Sequence, residues 1–290
     1  ILQRTFGNDV SISCFGGTPC VHQKAVIQIY RNLKILGYCK VARSQDVGYL
    51  FDKECENLNY LREKSVDSIP EVLFRCDLDD LKLFCQSSVK DKSGQTIDRM
   101  TEKHWLFLAN LYNKTRTVIK FEETDYYALL KQVKKNAVAL KETDLEIVQR
   151  ACELISKKYN NSTVEFGFYH GDFTPWNTVI ENGKIKVFDF EYAKRTYPPY
   201  LDAVHYLLQK NFFVDGLNDA NQIYSSLKES SIWKKFDDRR SLEMVIMYLL
   251  EIINLYLSRT SEESLDEKSR QKIRIEILEK AVTEYANLSR

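Results

Sequence analysis

The sequence has little net charge and no paired cysteine motif. Its 42 Lys and Arg residues nearly balance 41 Asp and Glu residues, which gives a formal net charge of +1. Nucleic acids and anionic membrane surfaces attract an excess of basic residues, so neither is expected as the main partner. The 7 cysteines are scattered singly, without C-x-x-C spacing. This pattern is typical of reduced thiols in a cytoplasmic protein and predicts no zinc site.

Long uninterrupted hydrophobic runs are also missing. The most apolar stretch, residues 242–257, contains Glu243, Glu251 and Asn254. Charged residues oppose insertion into a bilayer, so this stretch is predicted to be a buried helix and not a membrane span. No internal repeat or low-complexity tract stands out among the 290 residues, of which 44% are apolar. The chain can therefore bury one large core or two modest ones.

One segment, residues 168–190, holds the polar side chains that suggest chemistry. Its apolar positions have the period of strands, with a turn at residues 181–183, and its polar side chains fall at the strand ends. Folding of this hairpin is expected to bring Asp172, Asn177 and Asp189 together. Carboxylate and amide oxygens suit a hard divalent cation that also binds phosphates, above all Mg²⁺.

The same segment carries a family resemblance. The run from His170 through Asp172 to Asn177 has the spacing H-x-D-x-x-x-x-N, and Asp189-Phe-Glu191 stands where protein kinases have D-F-G. A lone H-x-D would be a weak signal, but both motifs at hairpin spacing are specific. The combination resembles the catalytic and metal-binding motifs of the aminoglycoside phosphotransferase and choline kinase family, which has a protein-kinase-like fold.

The resemblance implies a role for each of these side chains. Asp172 would be the catalytic base, which accepts or orients the proton of the substrate hydroxyl. Asn177 and Asp189 would hold Mg²⁺ against the phosphates of ATP or GTP. His170 would be structural, packing near Asp189, and Glu191 would support the metal ligands without contacting the metal.

The start of the chain is expected to form a β-rich lobe. Residues 10–15 and 25–30 have strand-like patterns, and the turn between them contains Gly17 and Thr18. In the family such a turn covers the nucleotide phosphates through its backbone N–H groups. Because no G-x-G-x-x-G motif is present, an ordinary turn without a phosphate is the alternative.

The next predicted strand carries Lys40, and a helical pattern after it carries Glu54. Leucines four and seven positions after Glu54 reproduce the E-x-x-x-L-x-x-L of the family's lobe-bridging helix. There the glutamate pairs with the strand lysine that holds the α- and β-phosphates, so the resemblance implies an ion pair between Lys40 and Glu54. Glu56 is a competing partner, and a solvated lysine with an ordinary helix glutamate is the alternative.

A boundary is predicted over residues 86–94, where apolar periodicity gives way to Ser, Lys and Gly. We expect an N-terminal nucleotide-binding lobe over residues 1–88 and a C-terminal lobe over residues 89–290 with the catalytic hairpin and acceptor site. In the family the backbone of such a hinge binds the adenine edge, which places Gln86 and Ser88 at the nucleotide. The predicted fold class is α+β: a bilobal, protein-kinase-like fold with a small β-rich N-lobe, one bridging helix and a larger, mainly helical C-lobe.

The acceptor is expected to be a hydroxyl on a small molecule. Twelve residues separate Asp189 from Asp202, which resembles the family's aspartate that braces the catalytic loop. So short a segment cannot hold the activation loop and peptide platform of a protein kinase. The family's acceptors include aminoglycosides, choline or ethanolamine, and sugar-like molecules, and aromatic or acidic residues suit such groups, although tyrosines are as often core residues. Residues of this kind near the site are Tyr192, Tyr197, Tyr200, Tyr206, Asp215 and Asp219.

Two other classes of protein fit parts of the pattern. A non-catalytic kinase-like module would bind nucleotide without transferring phosphate, but the presence of the lysine, glutamate, asparagine and both aspartates argues against it. His170, Asp172 and His205 could form the two-histidine, one-carboxylate site of a non-haem iron oxygenase. That site lies on a barrel of strands, whereas His205 falls in a helical pattern. The sequence therefore favours a phosphotransferase.

Overall fold

A computed structural model describes residues 1–16, 24–90, 94–258 and 265–288. The chain divides into two compact units, one formed by residues 1–97 with 170–193 and the other by residues 98–169 with 194–290. Within the described residues the strands are β1 (Ser11–Gly16), β2 (Ala25–Arg31), β3 (Lys34–Ala42), β4 (Val72–Leu78), β5 (Leu81–Ser87), β6 (Thr117–Lys120), β7 (Thr163–Tyr169), β8 (Thr178–Glu181), β9 (Lys184–Val187) and β10 (Lys194–Tyr197). The helices are α1 (Leu2–Phe6), α2 (Gln45–Glu63), α3 (Glu102–Thr115), α4 (Asp125–Asn136), α5 (Glu142–Tyr159), α6 (Leu201–Phe213), α7 (Ala220–Lys228), α8 (Ser231–Lys235), α9 (Asp238–Leu257) and α10 (Leu265–Asn287).

The first unit is built on an antiparallel sheet with the strand order β1-β2-β3-β5-β4. Its central strands bury small and branched side chains, with Ile29, Cys39 and Cys85 at the core of one face. The opposite face receives α2, where the ring of Phe51 lies 6.1 Å from that of Phe84. The predicted combination of a small β-rich region with one helix is therefore present.

The register between β3 and β5 decides which side chains share a face. Tyr38 is paired with Gln86, and Lys40 is paired with Phe84. Since directly opposed residues of an antiparallel pair point to the same side, as do residues two positions apart, these four share one face of the sheet. This is the face against which α2 packs, so β3 and β5 present Lys40 and Gln86 on the same side as the helix.

The hairpin predicted within residues 168–190 consists of β8 and β9, joined by Asn182 and Gly183. Both residues have a positive φ, 47° and 75°, which is the requirement of the tight turn that Asn-Gly favours between strands. The turn predicted from the sequence is therefore confirmed.

Main-chain hydrogen bonds link the hairpin to the rest of the first unit. Gln95 and Ile180 exchange two of them, at 3.1 Å and 2.9 Å, and Val187 N–H donates to the Ser68 carbonyl at 2.9 Å. The hairpin accordingly groups with the N-terminal unit, although it was predicted to belong to the C-terminal lobe. The roles assigned to the two predicted lobes stay predictions.

The second unit is mainly helical, with a short sheet of strand order β10-β7-β6. Strands β6 and β10 were not predicted from the sequence, because their four residues each are too few to show a strand period. Helix α9 is buried along most of its length, as predicted for residues 242–257. Within the described parts of the chain, none of the helices combines the length and apolarity needed to cross a membrane.

Candidate active site

Lys40 lies at the centre of a buried ion-pair cluster. Its Nζ is 2.5 Å from Glu54 Oε2 and 2.5 Å from Asp189 Oδ1. The lysine lies on strand β3 and the glutamate in the middle of α2. The aspartate is the second residue after β9. Lys40 is 5% exposed and Glu54 is 0% exposed. The ion pair between Lys40 and Glu54 is thus present, while Glu56 pairs with Lys53 on the surface of α2 at 2.9 Å.

Lys24 and Glu191 complete the cluster. Lys24 Nζ is 2.5 Å from Glu191 Oε2 and 3.8 Å from Asp189 Oδ1, and Lys40 Nζ is 3.8 Å from Glu191 Oε2. Sequence reasoning missed Lys24, although a lysine directly before β2 was a visible signal. It gave Glu191 only a supporting role, but the carboxylate oxygens of Glu54, Asp189 and Glu191 lie within 4.8 Å of one another.

The cluster sets three carboxylates against two ammonium groups, which shifts their pKa values. Burial lowers the pKa of Lys40, but Asp189 and Glu54 outweigh this effect, so its pKa is raised. Burial disfavours ionised Asp189 as well, but Lys40 and Lys24 hold its pKa below the ordinary value. For Glu54 burial wins over the attraction of Lys40, and with the nearby Asp189 it raises the pKa to about 7. The pKa of Glu54, the most buried of the three carboxyl groups, therefore shifts in the direction opposite to that of Asp189.

Asp172 and Asn177 form a second set of contacts in the loop before β8. Asn177 Nδ2 donates to Asp172 Oδ2 at 2.7 Å and to the Asp172 carbonyl at 3.0 Å. The Asp172 N–H donates to His170 Nδ1 at 3.1 Å, and His170 Nε2 contacts the Phe188 carbonyl at 3.1 Å. The buried imidazole therefore links the loop to the end of the hairpin, which is a structural role.

Asn177 and Asp189 flank the same end of the hairpin. Thr178 pairs with Val187, and the Phe188 N–H donates to the Asn177 main-chain carbonyl at 3.2 Å. Asp189 has a φ of 74°, a left-handed value that is uncommon outside glycine and recurs at functional sites.

The donor atoms of this region fit Mg²⁺. The amide nitrogen of Asn177 is engaged by Asp172, which leaves the amide oxygen as the atom it offers a cation. The Asp189 side chain keeps 26% of its surface exposed, so a solvated ion can reach it. Within the described part of the chain, the buried Glu54 Oε1 has no hydrogen-bond partner, so one carboxylate oxygen of the cluster still lacks a donor or a cation. Oxygen ligands and a net negative charge suit a hard divalent cation.

A cavity of about 200 Å³ in the first unit connects these charges to an apolar region. Lys24, Lys40 and Asp189 line it together with Val26, Tyr38, Pro70, Gln86, Ser87, Val89, Lys90 and Phe188. A pocket with charged groups beside apolar walls can hold a molecule that is both anionic and aromatic.

The residues predicted to bind the nucleotide have different positions. Lys40 and Gln86 line the cavity, and Glu54 holds Lys40. Ser88 is not among the described lining residues. Its hydroxyl closes a turn: Oγ accepts from the Lys90 N–H at 3.1 Å and donates to the Lys90 carbonyl at 2.8 Å. Gly17 and Thr18 lie outside the described residues.

Several residues proposed for the acceptor have structural contacts in the second unit. Tyr197 is 2% exposed and stacks on Tyr169 with ring centroids 4.9 Å apart. Asp215 pairs with Lys210, and Asp219 accepts from the Gln222 N–H at 2.9 Å at the start of α7. His205 lies in α6, with Nδ1 3.0 Å from the Tyr248 hydroxyl. This position on a buried helix does not support the iron-oxygenase alternative.

Solved structures of similar fold include several kinases. A thermostable mutant of aminoglycoside phosphotransferase APH(4)-Ia, in ternary complex with ADP and hygromycin B, has a TM-score of 0.60 at 12% identity, with 97% of each chain covered. The GDP complex of a mutant aminoglycoside 2′-phosphotransferase-IIIa has a TM-score of 0.58 at 14% identity, covering 98% of this chain and 95% of that one. Amicoumacin kinase hAmiN, in complex with AMP-PNP, Ca²⁺ and Ami, has a TM-score of 0.52 at 14% identity, covering 93% and 88%.

At these identities the likeness establishes the fold, which is the predicted protein-kinase-like one. A comparison with protein-family models matches residues 51–229, more than half of the chain, to the phosphotransferase enzyme family. The chain belongs to that family. A comparison with curated proteins gives no significant match.

Proposed function

We propose that the protein transfers the γ-phosphoryl group of ATP or GTP, with Mg²⁺, to a hydroxyl of a small molecule. The acceptors we propose are an aminoglycoside, choline or ethanolamine, or a sugar-like compound. The observation that carries the proposal is Lys40, held at 2.5 Å by both Glu54 and Asp189 in the wall of the cavity. Phosphoryl transfer depends on positioning and charge stabilisation, and this arrangement supplies a fixed cation beside a carboxylate that accepts metal.

Each residue has a defined part in this proposal. Lys40 binds the α- and β-phosphates, and Glu54 fixes its direction. Asn177 and Asp189 hold Mg²⁺, which when bound neutralises charge on the phosphate oxygens. Asp172 accepts the hydroxyl proton of the acceptor, and its carboxylate is oriented for this by the Asn177 amide. The nucleotide is accordingly bound by residues of the first unit, which also contains Asp172.

The state of the cysteine side chains is relevant to the cellular location of the protein. Six cysteines lie in the described residues, and all of them are free thiols. We therefore propose a cytoplasmic location, where thiols stay reduced.

The experiment is nucleotide turnover with and without Mg²⁺, against aminoglycosides, choline, ethanolamine and free or nucleotide-linked sugars. We expect ADP or GDP release that requires both the metal and one class of acceptor. Asp172→Asn should lower kcat by about 10²–10⁴-fold, the usual contribution of a general base, with little effect on nucleotide affinity.

Asp266→Asn, an exposed change in α10, is the matched control and should leave kcat unchanged. Tight nucleotide binding without turnover on any acceptor would favour the non-catalytic module. Loss of all nucleotide binding in the wild type would reject the proposed function.

A further inference from the structure

Lys24 forms an ion pair beside the carboxylate that is proposed to hold metal. Its Nζ is 2.5 Å from Glu191 Oε2 and 3.8 Å from Asp189 Oδ1. The Glu191 side chain is 8% exposed and that of Lys24 is 21% exposed, so water screens this ion pair less than a pair on the surface. The proposed function gives no part to this contact.

Glu191 depends on Lys24 for its positive partner. Lys40 Nζ lies 2.5 Å from both Glu54 Oε2 and Asp189 Oδ1 but 3.8 Å from Glu191 Oε2. Among the described residues, Lys24 is therefore the nearest ammonium group to Glu191, and it adds a second positive charge beside Asp189. Lys40 is buried in the cluster, whereas Lys24 reaches it from a more exposed position.

Lys24 and a divalent cation oppose each other at Asp189. The lysine Nζ is 3.8 Å from the Asp189 oxygen, so its positive charge repels a second cation at that oxygen. Phosphate oxygens are alternative partners for an ammonium group. Lys24 lines the same cavity as Lys40, the residue proposed to bind the phosphates, so a phosphate in that cavity is within its reach.

We propose that Lys24 makes the binding of metal depend on the nucleotide. In the free enzyme its ammonium group stays with Glu191 and Asp189 and opposes a divalent cation there. When the phosphates bind, the ammonium group moves to their oxygens, and Asp189 accepts the metal more readily. The inference rests on the proposed function, in which Asp189 is a metal ligand. Metal and nucleotide then favour each other's binding by the same factor.

The first test measures metal affinity directly. Binding of Mn²⁺, a paramagnetic substitute for Mg²⁺, to the full chain without nucleotide is followed by electron paramagnetic resonance. We expect Lys24→Met to bind Mn²⁺ about fivefold more tightly than the wild type, the effect of one partly exposed charge contact. Lys24→Arg keeps the positive charge and should bind Mn²⁺ like the wild type.

Lys90→Met is the matched control. It removes the same charge from the wall of the same cavity, but Lys90 Nζ lies 4.1 Å from the centroid of the Phe188 ring and, among the described residues, contacts no carboxylate. Its dissociation constant for Mn²⁺ should stay within about twofold of the wild-type value, because solvent and salt screen a charge that is not in contact.

A second measurement tests the coupling between metal and nucleotide. The dissociation constant of a non-hydrolysable ATP analogue is determined in EDTA and in saturating Mg²⁺. Metal binding by the free analogue cancels when the variants are compared. We expect the ratio of the two constants to be about threefold to fivefold smaller in Lys24→Met than in the wild type. An equal ratio in the two proteins would contradict the proposal.

The outcomes separate this inference from the proposed function. Unchanged or weaker Mn²⁺ binding by Lys24→Met would overturn the role of Lys24 and leave the proposed function in place. An equal gain in Lys90→Met or in Lys24→Arg would also overturn it, since contact of the Lys24 charge would then not be the cause. If the wild type binds no nucleotide in the presence of Mg²⁺, the proposed function itself fails. Should Lys24→Met not fold, Lys24→Gln removes the same charge and allows the same measurements.

Discussion

Lys40 and Asp189 are 149 positions apart in the sequence, and yet the lysine Nζ lies 2.5 Å from the aspartate Oδ1. The contact joins strand β3 to the end of the β8–β9 hairpin. It brings the residue proposed to hold phosphates to the residue proposed to hold metal. The predictions below ask what this pair and its neighbours contribute to stability and to activity.

Removing Lys40 should destabilise the fold, because the buried carboxylates of Glu54 and Asp189 lose the ammonium group that they share. Breaking a buried ion pair by deleting one partner usually costs about 3–5 kcal/mol, because the other charge stays buried. We expect Lys40→Met to lower the free energy of unfolding at pH 8 by about 3 kcal/mol, measured by urea denaturation. Lys40→Met combined with Glu54→Gln should recover part of that loss but none of the activity. If the losses of unfolding free energy in the two single variants simply add in the double variant, Lys40 and Glu54 do not stabilise each other.

Lys24 should contribute to phosphate binding although it lies outside the sequence motifs. Its ammonium is 2.5 Å from Glu191 and lines the same cavity as Lys40. We expect Lys24→Met to raise the KM for the nucleotide by about fivefold, the effect of one partly exposed charge–charge contact of about 1 kcal/mol. Lys34→Met, which changes an exposed lysine at the start of β3, is the matched control. Equal KM values for the two variants would show that Lys24 only pairs with Glu191.

The catalytic loop should not tolerate a side chain at Gly171. This glycine has a φ of 83°, and a Cβ would lie 2.6 Å from the Tyr192 carbonyl oxygen. We expect Gly171→Ala to lower the free energy of unfolding by about 2–4 kcal/mol through clash and backbone strain. It should also reduce kcat, since Asp172 is the next residue.

Two other glycines separate clash from strain. At Gly216, φ is 67° and, among the described atoms, nothing lies within 4 Å of the added Cβ, so alanine should cost only the strain of about 1 kcal/mol. Gly16 has the same open space in the described structure without the positive φ, so Gly16→Ala should change stability by less than about 0.5 kcal/mol. Equal losses at Gly171 and Gly216 would rule out the clash with Tyr192.

Glu251 should make stability depend on pH. Burial, with a smaller contribution from Asp202, raises its pKa to about 8 from 4.5, although Tyr169 donates a hydrogen bond to it. Its Oε2 is buried without a hydrogen-bond partner among the described residues. Because the folded-state pKa is raised, the protonated acid favours the folded state, and that contribution is lost as pH rises from about 4.5 through about 8.

Glu251→Gln should therefore match the wild type in unfolding free energy at pH 4 and exceed it at pH 9. We expect a difference of about 2 kcal/mol, because the part of the side chain that solvent reaches reduces the full effect of the shift. Thermal and urea unfolding across this pH range measure it. Glu229→Gln, at an exposed position, should show the same difference at every pH. A constant offset for Glu251→Gln would mean that folding leaves the pKa of this carboxyl unchanged.

Local patterns in the chain predicted the elements that depend on local physics. The Asn182-Gly183 turn requires two positive φ values, which Asn and Gly tolerate, and it joins β8 to β9 as expected. The leucine spacing after Glu54 predicted helix α2 and an ion pair of Glu54 with Lys40, and both are present. Motif spacing alone was therefore enough to predict that the proposed catalytic and metal-binding residues lie in the segments flanking one hairpin.

Contacts between distant segments were decided by the tertiary structure. Nothing in the sequence around Lys24 shows that it meets Glu191, because a pairing across 167 positions depends on how the sheet and hairpin pack. The Ser88 hydroxyl accepts a hydrogen bond from the Lys90 N–H in its own loop. The unpaired Gln86 Oε1 is visible only when all its neighbours are in place. The sequence by itself determined the family, the motifs and the strand and helix patterns, because these depend on neighbours in the chain. Which charges are buried together, and which buried polar atoms lack a partner, followed from the packing of distant segments, because burial is a property of the folded molecule.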